Sequence, residues 1–203
     1  YYNNNYGTSI EPENVMVFAG GRPGIYTILA FLKQHVQVTI GNVEWPAYLD
    51  ILTQTNTDFK VVPFTKENNF HPPNSAYYDR TGLNAKTRIM PVISNPSNPT
   101  GHTRAGAELE ELMAMAEQDK NGILLDEAYE WFHTGSVSGI QYVKDLNNSN
   151  VFITGACTKG KLRLFMFCDV VWCGLWWHWF ACCQNKSCLA AACFSLQTRE
   201  TIS

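Results

Sequence analysis

Charged residues are scarce in this chain. Asp, Glu, Lys and Arg make up 16% of its 203 residues and leave a formal net charge of −3, where soluble domains average about 25%. The charges are interspersed and mildly acidic, which excludes a basic nucleic-acid arm and gives no reason to expect a polyanionic partner. With 45% hydrophobic residues the chain is not a disordered tail, and it has no Gly-X-Y period for a collagen-like repeat. Tyr1–Tyr6 shows no basic start, apolar run or small-residue cleavage site, so no secretory signal is visible. Because the chain opens on Tyr1 rather than Met, a fragment or a processed product is expected.

Cysteine is also lacking over most of the length. Residues 1–160 hold one of the seven Cys (Cys157) and two of the six Trp (Trp45, Trp131), and residues 161–203 hold the rest. One cysteine over 1–160 fits a reducing compartment, so a cytoplasmic location is expected. A single core seldom changes composition so abruptly. The chain therefore divides near Gly160 into a domain over 1–160 and an atypical Cys- and Trp-rich tail over 161–203.

Residues 1–160 alternate short β-rich runs with helical patterns. Strands are predicted at Val15–Phe18, Val36–Ile40, Lys60–Pro63, Arg88–Ser94, Gly122–Asp126 and Val151–Thr154. Helices are predicted at Pro23–Gln34, Ala47–Thr55 and Ala107–Gln118, the first opened by a proline that suits a first turn. Phe64–Lys86 reads as loop. Such alternation implies parallel strands with right-handed crossovers, hence an α/β three-layer domain with a mainly parallel sheet. Ligands of such sheets collect beyond the carboxyl ends of the strands.

The residues after each strand are therefore the candidates for chemistry. Gly20-Gly21-Arg22-Pro23-Gly24 either cradles an anion at a helix N-terminus or is an ordinary tight turn. In Glu44-Trp45-Pro46-Ala47-Tyr48 the tryptophan either stacks on a planar ring or packs into the core. Asn95-Pro96-Ser97-Asn98-Pro99-Thr100-Gly101 forces a rigid, non-helical segment, which favours an Asn placed for a ligand over an Asn chosen for its backbone. Asp126 in Asp126-Glu127-Ala128-Tyr129 ends an apolar strand and needs a positive partner there, unless it is a helix N-cap. Lys159 in Cys157-Thr158-Lys159-Gly160 is either a surface lysine or an amine nucleophile activated beside an apolar strand.

In order and spacing, these five segments together resemble the pyridoxal-phosphate-dependent aminotransferases of classes I and II, fold type I. The resemblance covers nearly all of 1–160, the central part of that family's large domain. Asn-Pro-x-Asn-Pro-Thr-Gly followed by Asp-Glu-Ala-Tyr and a later Thr-Lys is its most specific portion. It implies pyridoxal 5'-phosphate as cofactor, held covalently through the amine of Lys159, which then shuttles a proton. It also implies Asp126 against the pyridine nitrogen, Asn98 and Tyr129 hydrogen-bonded to the ring's phenolic oxygen, and Trp45 on the ring face. The backbone amides of Gly21 and Arg22 would take the phosphate. The implied reaction is transfer of an amino group from an amino acid to a 2-oxo acid, with a homodimer as the full-length assembly. Decarboxylation, elimination and cyclisation use the same anchors.

The chain departs from the family after its lysine. A Pro-Gly-x-Arg-x-Gly-Trp stretch is expected there, but Phe167 stands at the arginine's place, and Arg163 comes about one helical turn early if that segment is helical. Ala156 stands where many members have a phosphate-binding serine. The family's small domain, with its substrate-carboxylate arginine, and its N-terminal segment have no counterpart. The tail admits three readings: a membrane span over Phe165–Cys183, broken by Asp169 and His178; a zinc site of Cys182, Cys183, Cys188 and Cys193; and a frame-shifted or mis-spliced sequence. The last is favoured, and neither a metal site nor a membrane segment is expected. Two functions follow: an aminotransferase whose chain is incomplete, or a truncated, non-catalytic remnant of the cofactor site with poor solubility.

Overall fold

The computed structural model describes residues 1–84 and 86–156 and the backbone of 169–173. A seven-stranded sheet runs β1 (Val15–Phe18), β7 (Asp169–Cys173), β6 (Val151–Ala156), β5 (Ile123–Asp126), β4 (Arg88–Ser94), β2 (Val36–Gly41), β3 (Phe59–Val62). Strands β3, β2, β4, β5 and β6 pair in parallel. β7 lies antiparallel to both β1 and β6. The mainly parallel α/β expectation therefore holds.

Side chains alternate across the sheet, as strand geometry requires. Val38, Ile40, Met90, Val92, Leu124 and Phe152 face one side, where Ile25, Ile28 and Leu29 of α2 (Gly21–Leu32) and Tyr48, Ile51 and Leu52 of α3 (Ala47–Thr55) cover them. Ile93, Ile123, Leu125, Val151 and Ile153 face the other, against Leu109, Leu112, Met113 and Ala116 of α5 (Ala107–Ala116). Burial on both faces explains why these strands read as continuous apolar runs.

β1, α3 and β4 have the predicted bounds. Elsewhere the structure departs from them. α2 starts at Gly21, two residues before the expected proline, because Gly20 takes φ 109° and ψ 157°, a conformation that turns the chain directly from strand into helix and that only glycine adopts easily. The predicted loop 64–86 contains a short helix, α4 (Asn74–Tyr77), whose Tyr77 packs in the second core. A further helix, α1 (Tyr2–Tyr6), stands on tertiary contacts: Tyr2 and Tyr6 pack against that core, and the Tyr1 and Tyr6 hydroxyls donate to the Glu130 carboxylate. Its sequence, rich in asparagine, offers only the Tyr2 and Tyr6 pair at helical spacing. β7 belongs to the stretch read as atypical tail, and its backbone closes the gap between β1 and β6; Val170, Val171 and Trp172 are residue types that favour strands.

The stretch 165–183, weighed as a membrane span and disfavoured, lies outside the described residues except for the backbone of β7, which is a strand, and the four tail cysteines lie outside them entirely. Among the described residues no helix is long and apolar enough to cross a membrane.

Candidate active site

The parallel register sets Ser94, Asp126 and Thr154 side by side at the carboxyl ends of β4, β5 and β6. All three are buried, at 2%, 7% and 1% exposure, on the face covered by α2 and α3. A carboxylate in such a place is costly unless donors meet it. Here Tyr48 donates its hydroxyl to Oδ2 at 2.6 Å, while the Thr154 hydroxyl and the Ala128 amide donate to Oδ1 at 3.1 Å each. Tyr48 is wholly buried, and burial plus the adjacent Asp126 charge push its phenol well above its ordinary range. It therefore stays a donor at any ordinary pH.

A cavity of about 300 Å³ opens over this row. Gly21, Arg22, Trp45, Asn98, Asp126 and Tyr129 all line it, so the structure brings together the six described residues that the sequence singled out. The Trp45 ring stands edge-on to Tyr48 at 5.3 Å between centroids, and the Arg22 guanidinium sits 5.2 Å from the Trp45 ring centre. In the same lining α2 begins at Gly21 behind Gly20, and no described side chain caps its first turn. Its free N–H groups and its dipole make an anion site. Strand order reverses between β2 and β4, and the cavity receives Trp45 from beyond one and Asn98 from beyond the other; that is where an open α/β sheet binds ligands.

Lys159 lies outside the described residues, as do Arg163 and Phe167. Ala156, the last residue of β6, lines the cavity, and Lys159 follows three positions on.

The structure also separates residues that the sequence leaves alike. Asn95 is fully buried; its amide donates to the carbonyls of Arg104 and Val137, and its oxygen accepts from the Arg104 amide. It braces the loop, whereas Asn98 faces the cavity. Both Asn-Pro bonds of this loop, 95–96 and 98–99, are cis. Glu127 turns away from the cavity and accepts from the Ser138 hydroxyl and the Gly139 amide, both at 2.7 Å. Burial pushes its carboxyl well above the usual range.

Tyr48, Ser94 and Thr154 were not singled out beforehand. Their role depends on contact across crossovers, which leaves no local mark in the sequence. A second group likewise has no local signature in the sequence. Glu44, Tyr77 and Arg104 each have a buried polar atom with no hydrogen-bond partner among the described residues, and the Arg104 guanidinium lies 5.6 Å from the Tyr77 ring centre. Burial, reinforced by the charge of Asp126 and opposed by Arg104, pushes the Glu44 carboxyl up to about 8.

An uncapped helix start, the Trp45 side chain and an anchored carboxylate thus line one cavity at the carboxyl edge of a mainly parallel α/β sheet. Residues 1–160 match the aminotransferase class I and II family, and the chain belongs to it. It is 35% identical over 136 residues to an aspartate aminotransferase of Pyrococcus horikoshii, a match covering 65% of this chain and 33% of that protein. The fold is that of the aspartate aminotransferase from Thermus thermophilus with maleate, with TM-score 0.72, 20% identity, and coverage of 100% of this chain and 49% of that one. It is also that of a PLP-bound C-S lyase from Staphylococcus hominis, with TM-score 0.71, 12% identity, and coverage of 87% and 46%. At such identities the two structures speak to fold alone. The chain spans about a third of the curated relative and just under half of each of these structures.

Proposed function

We propose that this chain is the cofactor-binding part of a pyridoxal-phosphate-dependent aminotransferase, which transfers an amino group from an amino acid to a 2-oxo acid, with Lys159 as the catalytic residue. The observation that carries this reading is the Asp126 carboxylate, anchored by Tyr48, Thr154 and Ala128 and lining the same cavity as Trp45 and the start of α2. These residues fit the cofactor by the chemistry of their donors. The amides of Gly21 and Arg22 suit a phosphate, the Trp45 face suits a ring, and Asn98 and Tyr129 suit a phenolic oxygen. Asp126 suits a protonated ring nitrogen, because three donors hold its carboxylate in place. When bound, the group supplies an electron sink for charge developing on the substrate's α-carbon.

What the chain contributes is position and charge. Tyr48 and Thr154 fix the Asp126 carboxylate, so a ring nitrogen meets a preset partner and no reorganisation is needed during reaction. Trp45 covers the cavity and keeps water off the ring face. The Nζ of Lys159 holds the cofactor and moves the proton. We infer a homodimer for the full-length protein, as the family resemblance implies, and a cytoplasmic location from the scarcity of cysteine over 1–160.

A second reading, binding without turnover, is favoured by Phe167 at the place of the family's phosphate-gripping arginine and by Ala156 at that of its serine. One experiment separates the two. The protein is reconstituted with pyridoxal 5'-phosphate, and imine absorbance and amino-donor turnover are measured for it and for Lys159→Ala. The proposed reading requires absorbance and turnover in the parent and neither in the variant. Absorbance without turnover establishes the second reading, and absorbance surviving in Lys159→Ala overturns the role of Lys159.

A further inference from the structure

Away from the cavity, three segments converge on one point. His71 belongs to the stretch after β3, His102 to the turn that closes the Asn-Pro loop, and Glu108 to the first turn of α5. The carboxylate lies between the two imidazoles: Oε1 is 2.5 Å from His71 Nε2, and Oε2 is 3.5 Å from His102 Nε2. The rings approach to 3.4 Å between centroids. His102 Nε2 is buried, yet it has no hydrogen-bond partner among the described residues. One donor atom from each residue lies within 4.8 Å of the other two, and all three residues are half-buried.

A hydrogen-bonded trio accounts for His71 but leaves the His102 nitrogen unmatched, which is unfavourable for a buried polar atom. A cation at the point that the three share satisfies every donor atom. Four-coordinate zinc with bonds of about 2.0–2.1 Å sets its donors about 3.4 Å apart, between the 2.5 and 4.8 Å limits seen here. Two imidazoles exclude a hard cation such as magnesium or calcium, which takes oxygen ligands. Arg104, whose Nε is 3.6 Å from Glu108 Oε1, adds a nearby positive charge that a weakly held cation would not overcome.

We propose that His71, His102 and Glu108 form a binding site for a divalent transition metal of the zinc class, with a fourth position for water. The site staples three segments that no strand pairing joins. One of them carries the cavity residue Asn98: the Ser97 amide donates to the His102 carbonyl at 2.8 Å, so a metal on His102 holds the Asn-Pro loop against α5. The site is structural and takes no part in amino-group transfer.

Cobalt(II) titration tests it, because four-coordinate cobalt absorbs visibly. The full chain is first alkylated at cysteine, which removes the thiols of residues 161–203 as competing ligands. The expected result is one equivalent of cobalt bound with a visible d–d band and displaced by zinc. Affinity should fall at least tenfold in His102→Ala, since loss of even an outer partner of a ligand costs about 10–100-fold. Glu108→Gln keeps side-chain size and should lose the band while its far-UV circular dichroism is unchanged. No band in the alkylated parent, or an undiminished band in Glu108→Gln, overturns the proposal whether or not His102→Ala folds.

Discussion

Tyr48 and Asp126 are 78 positions apart and meet at 2.6 Å in the interior, so their interaction is open to direct measurement. Tyr48→Phe keeps the ring that packs against Trp45, Ile51 and Leu52 and removes only the hydroxyl. Oδ2 of Asp126 then loses a charge-assisted donor, while Oδ1 keeps Thr154 and Ala128. Hydrogen bonds to charged groups contribute about 1.5–3 kcal/mol, and the absence of a new cavity means that no packing term adds to this. Stability of the apoprotein should fall by about 2 kcal/mol, which is about 1 M in urea midpoint at a slope of about 2 kcal/mol/M. A double-mutant cycle with Asp126→Ala isolates the pair. The coupling should be about 1.5–3 kcal/mol. A coupling below about 0.5 kcal/mol, the scatter expected of independent sites, would show that Tyr48 is merely packed beside Asp126, and the preset carboxylate on which the functional reading rests would be wrong.

Further outcomes follow from the same geometry. Glu44 binds its proton more tightly in the fold than in the unfolded chain, where its ordinary value is 4.5, because burial raises it to about 8. Its contribution to stability is therefore complete below pH 4.5 and is lost as pH rises through about 8, by at most about 5 kcal/mol. Urea midpoints taken from pH 4.5 to 8 should decline more steeply in the parent than in Glu44→Gln, and parallel declines would refute the assignment. The two asparagines should separate: Asn95→Ala breaks three buried hydrogen bonds and should cost about 2–4 kcal/mol of stability. Asn98→Ala should leave stability within about 0.5 kcal/mol and weaken pyridoxal-phosphate affinity about tenfold. Equal stability losses, or unchanged affinity in Asn98→Ala, would contradict the division of labour.

Much of the sheet was legible in the chain because its strands are buried on both faces. Ile89–Ile93 and Ile123–Leu125 are apolar throughout and β-branched in part, and such runs between turn residues have few other solutions. The ends of these strands were legible for the same reason: glycine, Asn-Pro or an acidic residue interrupts an apolar run where the sheet meets the cavity. α1 was not legible, because its two tyrosines are held by a core and a carboxylate far along the chain. Neither was the place of β7: residue types alone do not say that Asp169–Cys173 fills a gap between β1 and β6. The reading of 161–203 as frame-shifted or mis-spliced is open to direct test by translating the encoding nucleotides in the other two frames, where Pro-Gly-x-Arg-x-Gly-Trp should appear.

By itself, the sequence determined where most strands lie and which residues stand near their ends, since apolar period, capping and proline act over a few neighbouring positions. Only the tertiary structure decided which of those residues act together. Asp126 faces the cavity and Glu127 does not because successive residues leave a strand on opposite sides. Asn98 faces it and Asn95 does not because Asn95 is spent on Arg104 and Val137. Tyr48 became part of the site because α3 folds back over the sheet. These are consequences of register and crossover, which depend on pairing between distant segments and leave no local mark on the chain.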